Sequence, residues 1–251
     1  MKTIEQFYNG FFLDTTCANT KISNCQKFLR VAPIKKTDHY EEIQIEKDNF
    51  AFSEKNRDWE IEYFHGLQNF LRIEKPDFPP IFIFDNHNHA PVCRYYRLKE
   101  LKQSSPILIH IDQHSDCREN KEKLELNSNE YDLENVFHFY NEKCNVWNFI
   151  PPSLESWIIS DQIQIRSINT LKALTIEKSQ NSILDIDLDF CLNWIDRNEI
   201  NQESVKILEE KFNKLHKSAL CTTIATSPYF LNQEMAIDII KTLLNKFINY
   251  S

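Results

Sequence analysis

Along the second two-thirds of the chain, short uninterrupted apolar runs alternate with longer stretches whose apolar residues recur every three or four positions. Ile81 to Phe84, Ile107 to Ile111, Ile163 to Ile168, Ser182 to Ile186 and Leu220 to Ala225 have the length and residue types of buried strands. Residues 90–103, Tyr131 to Tyr140, the segment opening at Pro151, Gln202 to Lys217 and Leu231 to Ile248 read as helices. Strands without polar alternation are buried on both faces, and strands that alternate with helices of this length build a parallel sheet. The pattern predicts a three-layer α/β/α fold with a mostly parallel central sheet over residues 79–251. In such sheets ligands bind beyond the carboxyl ends of the strands.

Residues 1–78 are less regular and read as an N-terminal elaboration packed on that domain. Glu42 to Glu46 alternates with period two, as a half-exposed strand does, and Asn49 to Ser53 is its expected partner. Apolar residues at 59, 61, 64, 67, 70 and 71 suit an amphipathic helix from Trp59 to Leu71. The segment Lys75-Pro76-Asp77-Phe78-Pro79-Pro80 ends it and restarts the chain extended.

Two of the predicted strands run into acids. Ile107 to Ile111 leads to Asp112, His114 and Asp116, and Ser182 to Ile186 leads to Asp187 and Asp189. Residues two apart in extended chain point to the same side about 6.6 Å apart, so each set can converge on one point. A strand buried on both faces does not end in clustered acids unless something positive sits there. The four aspartates match two divalent cations in charge. Oxygen-rich sites with an occasional imidazole suit Mn²⁺ or Mg²⁺ over thiolate-loving zinc, and the histidine tilts the choice to Mn²⁺. Two such ions lower the pKa of a water held between them. The bland alternative is a pair of solvated loops or a calcium site.

A third stretch, Asp85-Asn86-His87-Asn88-His89-Ala90, also follows a strand. With these three stretches the chain resembles the arginase/deacetylase superfamily, whose members carry a DxHxD motif, a later SxDxD motif and an upstream Asp-His motif at strand ends. Ile109 to Asp116 corresponds to the first, Asp185 to Asp189 to the second, and Asn86 to Ala90 to the third. The resemblance implies an arginase-like fold with His87, Asp112, His114, Asp116, Asp187 and Asp189 as ligands of two Mn²⁺ ions, and with Asp116 and Asp187 bridging them. His89 competes with His87 for the first-motif position. The likeness is greatest to a glycine-poor group that includes peptide arginases. It extends over roughly residues 80–235, including Asn148-Phe149-Ile150 and Thr226-Ser227-Pro228. Those enzymes convert arginine residues of ribosomally made precursor peptides to ornithine and release urea. The chain departs from the superfamily pattern at Asn86, where aspartate is usual, and at Asp185, where a small hydroxyl residue is usual. Asp185 is expected to orient a ligand from behind.

Further candidate roles are read from the residues themselves. Asp116 is a catalytic carboxylate as well as a ligand. His138 is a proton-shuttle candidate, against the commoner role of a histidine held in the core. His110 sits deeper in its strand, as a core or supporting residue. Asn148 orients the substrate backbone or caps the helix opening at Pro151. Glu234 receives the guanidinium or is a surface acid favoured by a helix N-terminus.

Composition narrows the classes. The chain has 251 residues, 41% of them hydrophobic, enough for one large core, and it has no apolar run long enough to cross a membrane. No signal peptide is read at the start. A formal net charge of −8 argues against a nucleic-acid partner and is compatible with a cationic substrate. Seven cysteines without a CxxC pair read as reduced thiols of a cytoplasmic protein. Glycine occurs only at Gly10 and Gly66, which excludes glycine-rich phosphate-binding loops and leaves turns to Asn, Asp and Ser. The expected partner is an arginine-containing precursor peptide. The competing functions are a small-molecule ureohydrolase, a zinc-type amide deacetylase and a metal-stabilised binding domain without activity.

Overall fold

A computed structural model describes residues 2–13, 29–55, 58–103, 105–126, 132–175, 177, 180–193 and 199–248. Their elements run α1 (Ile4–Phe7), β1 (Phe11–Leu13), β2 (Leu29–Val31), β3 (Ile34–Thr37), β4 (Phe52–Lys55), β5 (Ile61–Phe64), β6 (Phe70–Ile73), β7 (Ile81–Phe84), α2 (Ala90–Leu101), β8 (Ile107–Ile111), α3 (Leu133–Glu142), α4 (Ile150–Glu155), β9 (Asp161–Ile165), α5 (Ile168–Ala173), β10 (Ser182–Asp187), α6 (Gln202–Ser218), β11 (Ala219–Ala225) and α7 (Gln233–Ile248). Seven strands form one sheet in the order β3-β6-β7-β11-β10-β8-β9. The five from β7 to β9 are parallel, and β6 joins them antiparallel through β7.

Alternate residues of each strand enter opposite cores. Ile81, Ile83, Ile109, Ile111, Leu184 and Ile186 pack with Leu171, Leu208, Phe212 and Leu243 of α5, α6 and α7. Phe82, Phe84, Leu108, Ile183 and Cys221 face the other way, against Val92, Tyr140 and Ile150 of α2, α3 and α4. The protein is therefore a three-layer α/β/α fold. Each such side chain, fully buried, contributes about 1.5–3 kcal/mol to its cohesion. Among the described residues no helix is long and apolar enough to cross a membrane.

The N-terminal residues differ from their predicted pattern. No helix spans Trp59 to Leu71; the segment forms β5 and β6 instead. Trp59 is exposed and has a φ of 65°, which breaks the chain before β5. Phe70 to Ile73 is buried throughout because it adds to the apolar edge of β7. That pairing is tertiary, and it overrides a helical spacing of apolar residues. Likewise Glu42 to Glu46 is no strand: Tyr40–Glu42 is a 3₁₀ turn, and Ile45 makes a single bridge to Leu67. The partner of β4 is β5. In the second half, β9 ends at Ile165, short of the predicted Ile168, because Ser167 caps α5 by accepting from the Thr170 N–H. Segments 1–78 and 79–251 share one sheet, since β3 and β6 come from the first.

Gly66 marks the tightest junction between them. A Cβ there would lie 2.2 Å from Asp85 Oδ2 and 2.8 Å from the Ala51 side chain. Asp85 is buried and accepts from the Leu67 N–H at 2.9 Å and from Thr226 Oγ1 at 3.1 Å, so it cannot retreat without losing partners. Gly66→Ala is expected to lower stability by about 1–3 kcal/mol, as overpacked sites do; urea unfolding measures this, and an unchanged midpoint would refute the constraint.

His216 supplies a second measurable constraint. It is buried between Phe78 and Phe212, with Nδ1 2.9 Å from Thr222 Oγ1. Burial, helped by Lys217, pushes its pKa down to about 3. Above the ordinary pKa of about 6.5 both folded and unfolded forms are neutral. As pH falls below that value only the unfolded chain takes the proton, so stability is lost towards pH 3 at up to about 1.4 kcal/mol per pH unit. His216→Gln should flatten this acid limb in unfolding curves between pH 6.5 and 4; an equally steep limb would show that His216 is protonated in the fold.

Candidate metal centre

Four adjacent parallel strands deliver their carboxyl ends to one rim of the sheet. Beyond β7 the chain enters a 3₁₀ turn, His87–His89, that opens α2. Beyond β8 come Asp112 to Asp116. Asp116 has a φ of 50°, in the left-handed region that aspartate tolerates better than most residues. β10 carries Asp185 and Asp187, and Asp189 follows in a 3₁₀ turn. β11 supplies Thr223 and, just past its end, Ser227 with a φ of 48°.

These elements bring the predicted ligands together in two overlapping groups. His87 Nδ1 lies 3.3 Å from Oδ2 of each of Asp112, Asp116 and Asp187. His114 Nδ1 lies 3.4 Å from Asp112 Oδ1 and 2.9 Å from Asp189 Oδ2. Asp112 thus joins the groups, one oxygen towards each imidazole. Ser227 Oγ donates to Asp187 Oδ2 at 2.7 Å, and the Asp189 N–H donates to Asp187 Oδ1 at 3.1 Å. Behind this front, His110 Nδ1 lies 2.8 Å and His87 Nε2 3.0 Å from Asp185 Oδ2.

The electrostatics are those of an incompletely compensated cluster. Burial and the charges of Asp187 and Asp112 push Asp189 well above the usual carboxylate range. Burial and Asp112 raise Asp116 to about 7. Burial opposes ionisation of Asp112 too, yet His110, His114 and His87 hold it well below its ordinary value. Burial would lower His114, but Asp112 and Asp189 raise it to about 10. Protons on histidines and carboxylates thus take up part of the excess negative charge. Among the described residues, both ring nitrogens of His87, His110 Nε2, Asp112 Oδ2 and Asp189 Oδ2 are buried and find no partner in hydrogen-bond geometry, close as the ion-pair distances are. Buried polar atoms of this kind are ordinarily paired. Sets of His and Asp ligand atoms within 4.8 Å of one another, His87–Asp112–Asp187 and Asp112–His114–Asp189 among them, fit divalent cations with oxygen-rich coordination.

Access is at His114, the partly exposed member of the cluster. Trp147 and Phe230 lie against its ring, each with centroids 5.1 Å away. The aromatic wall continues through Tyr229 to Phe64. Arg118 places its guanidinium 4.6 Å from the centre of the Trp147 ring.

The other predicted residues lie elsewhere. His89 is buried away from the carboxylates, with Nδ1 3.3 Å from the Tyr8 hydroxyl. His138 is on the exposed face of α3 and faces Glu142 at 2.8 Å, so it is not a core histidine and its observed polar partner is not a member of the cluster. Asn148 accepts from the Asn145 N–H at 2.8 Å and closes its own turn; Phe149, not Asn148, occupies the cap of α4. Glu234 is exposed in the first turn of α7, beside an open groove lined by Glu46, Gln68 and Asp238. Arg94, fully buried on α2 with Nη2 3.2 Å from Asp185 Oδ2, escaped the sequence reading. Its only signal was a charge inside the otherwise apolar run Ala90 to Tyr96.

No family profile and no curated relative matches the chain. Five solved chains match. One is a crystal structure of a hypothetical agmatinase from Burkholderia thailandensis, 12% identical, with a TM-score of 0.45 over 68% of this chain. The chain spans 58% of that protein's length.

The geometry separates the two adjacent histidines. Added Mn²⁺ should raise the melting temperature of the unaltered protein and of His89→Ala, which loses packing and the Tyr8 contact but no ligand. His87→Ala should lose that rise. Thermal melts with and without Mn²⁺ decide, and the reverse order would move the ligand to His89.

Proposed function

We propose that the protein is a metal-dependent hydrolase of the linear amidine C–N bond of arginine residues, acting on a ribosomally made precursor peptide to leave ornithine and release urea. The observation that carries this reading is the pair of imidazole–carboxylate groups that share Asp112. His87, Asp112, Asp116 and Asp187 would hold one Mn²⁺, and His114, Asp112, Asp187 and Asp189 the other, so that Asp112, rather than Asp116 as the resemblance implied, is shared with Asp187. Such a pair of cations, when bound, lowers the pKa of water and stabilises charge at the carbon under attack.

The remaining work belongs to the chain. The buried carboxylates exclude bulk water, and Ser227 fixes Asp187. Asp116 takes the proton of the attacking water. Trp147 and Phe230 form the entrance at His114, and aromatic faces accept guanidinium groups within about 6 Å of the ring centre. Arg118 demonstrates that affinity on Trp147 itself. The net charge of −8 favours a cationic substrate. Cys93, Cys117, Cys144, Cys191 and Cys221 are all unbridged, which fits a reducing cytoplasm.

The test is mass spectrometry of an arginine-containing peptide, with its leader, after incubation with the Mn²⁺-loaded protein. Each converted residue loses the elements of cyanamide, and Asp112→Ala, His114→Ala or Asp187→Ala should abolish the change. Turnover of free L-arginine or agmatine without any of the peptide would assign a small-molecule ureohydrolase. Tight Mn²⁺ binding with no turnover of either would assign a binding domain.

A further inference from the structure

Arg94 is the largest fully buried side chain among the described residues, and the proposed chemistry does not use it. Its Nε and Nη1 have no hydrogen-bond partners among those residues. Nη2 donates to Asp185 Oδ2 at 3.2 Å, and the guanidinium lies 5.6 Å from the centre of the Phe149 ring. Replacing a buried ion pair with apolar residues of similar volume is often neutral or stabilising, so cohesion of the fold does not explain this one.

Asp185 suggests what the pair does. Its Oδ1 accepts from Thr223 Oγ1, while Oδ2 faces Arg94, His110 Nδ1 and His87 Nε2. The contact with His110 has hydrogen-bond geometry, while His87 Nε2 lies 3.0 Å from the same oxygen without it. For His87 this placement leaves Nδ1 turned towards Asp112, Asp116 and Asp187. For His110 it directs Nε2 at Asp112 Oδ2, 3.3 Å away. A histidine ligand is commonly held in this way by a carboxylate on its far nitrogen, but here one carboxylate serves two imidazoles.

We propose that Arg94 and Asp185 are positioning residues: the guanidinium anchors Asp185 in its fully buried place, and Asp185 Oδ2, set against both rings, fixes the orientation of His87 as a metal ligand and of His110 behind it. The inference rests on the metal-centre reading above. It adds a residue from α2, on the far side of the imidazoles from the carboxylate front.

The tests use the full chain and Mn²⁺ alone as the probe. Free Mn²⁺, followed by its electron paramagnetic resonance signal, gives affinity and stoichiometry; long-range proton–nitrogen NMR gives the ring-nitrogen signals of His87 and His110. Arg94→Met and Asp185→Asn should weaken Mn²⁺ binding about 10- to 100-fold, the usual cost of losing such a support. They should also shift the ring-nitrogen signals of both histidines. Arg94→Lys, which keeps the charge on a contact made by a single nitrogen, should stay within a few-fold of the parent. Should Arg94→Met fail to fold, the double variant Arg94→Met/Asp185→Ser removes both charges and restores a neutral core. On the positioning proposal it folds yet binds Mn²⁺ weakly. A folded double variant with parental affinity and ring signals would reduce the pair to a structural ion pair and overturn the proposal. Absence of Mn²⁺ binding by the unaltered chain, with the His110 ring signal showing its bond to Asp185, would instead overturn the metal-centre reading itself.

Discussion

Like charge held close together in a dry place governs this structure. Asp112, Asp116, Asp185, Asp187 and Asp189 are all buried at neighbouring strand ends. Two unit charges 4 Å apart interact by about 4 kcal/mol even at an effective dielectric of 20. A few such pairs equal the whole stability of an ordinary domain, about 5–15 kcal/mol. Each carboxylate accordingly has a polar or cationic neighbour, though together these offset the charge only in part: Arg94 behind Asp185, Ser227 on Asp187, His114 between Asp112 and Asp189, and His87 beside Asp116. The parallel sheet is what brings these acids together, because it sends four chain turns to the same rim. The helices of both layers then seal the strands away from water.

The sheet's second half was legible in the sequence because its strands are continuous apolar runs. Ile81 to Phe84 and Ser182 to Ile186 have no reading other than burial on both faces, and the acids at their ends stand out for the same reason. Trp59 to Leu71 misled because helical spacing in a short segment also fits two strands, and only the open edge of β7 decides between them. Arg94 was silent for a different reason. A lone charge on a helix ordinarily marks an exposed face, and nothing local announces that its partner is Asp185, 91 residues away. His138 shows the converse: flanked by Phe137 and Phe139, it is nonetheless on the solvent side of α3, where the helical period puts it.

Scarcity of glycine has left a visible trace. Left-handed backbone occurs at eight non-glycine residues among those described, and two of them, Asp116 and Ser227, are at the centre. Conformations of this kind cost about 1–3 kcal/mol each and persist where the surroundings enforce them. Here the same two side chains are needed in place, Asp116 beside His87 and Ser227 on Asp187. Backbone strain and side-chain chemistry are thus borne by the same residues.

The position of β7 has a consequence for how the protein comes to be folded. One neighbour, β6, is close in sequence, but the other is β11, and the buried bond between Asp85 and Thr226 closes a separation of 141 residues. Pairings so distant are slow to form, since loop-closure entropy opposes them before any contact is made. Until β11 arrives, β7 offers an apolar edge to any other strand, and Asp187 lacks its serine. The cluster at the rim stays unfinished for that interval as well: the acids at the end of β10 acquire the neighbours that fix them only when β11 is in place.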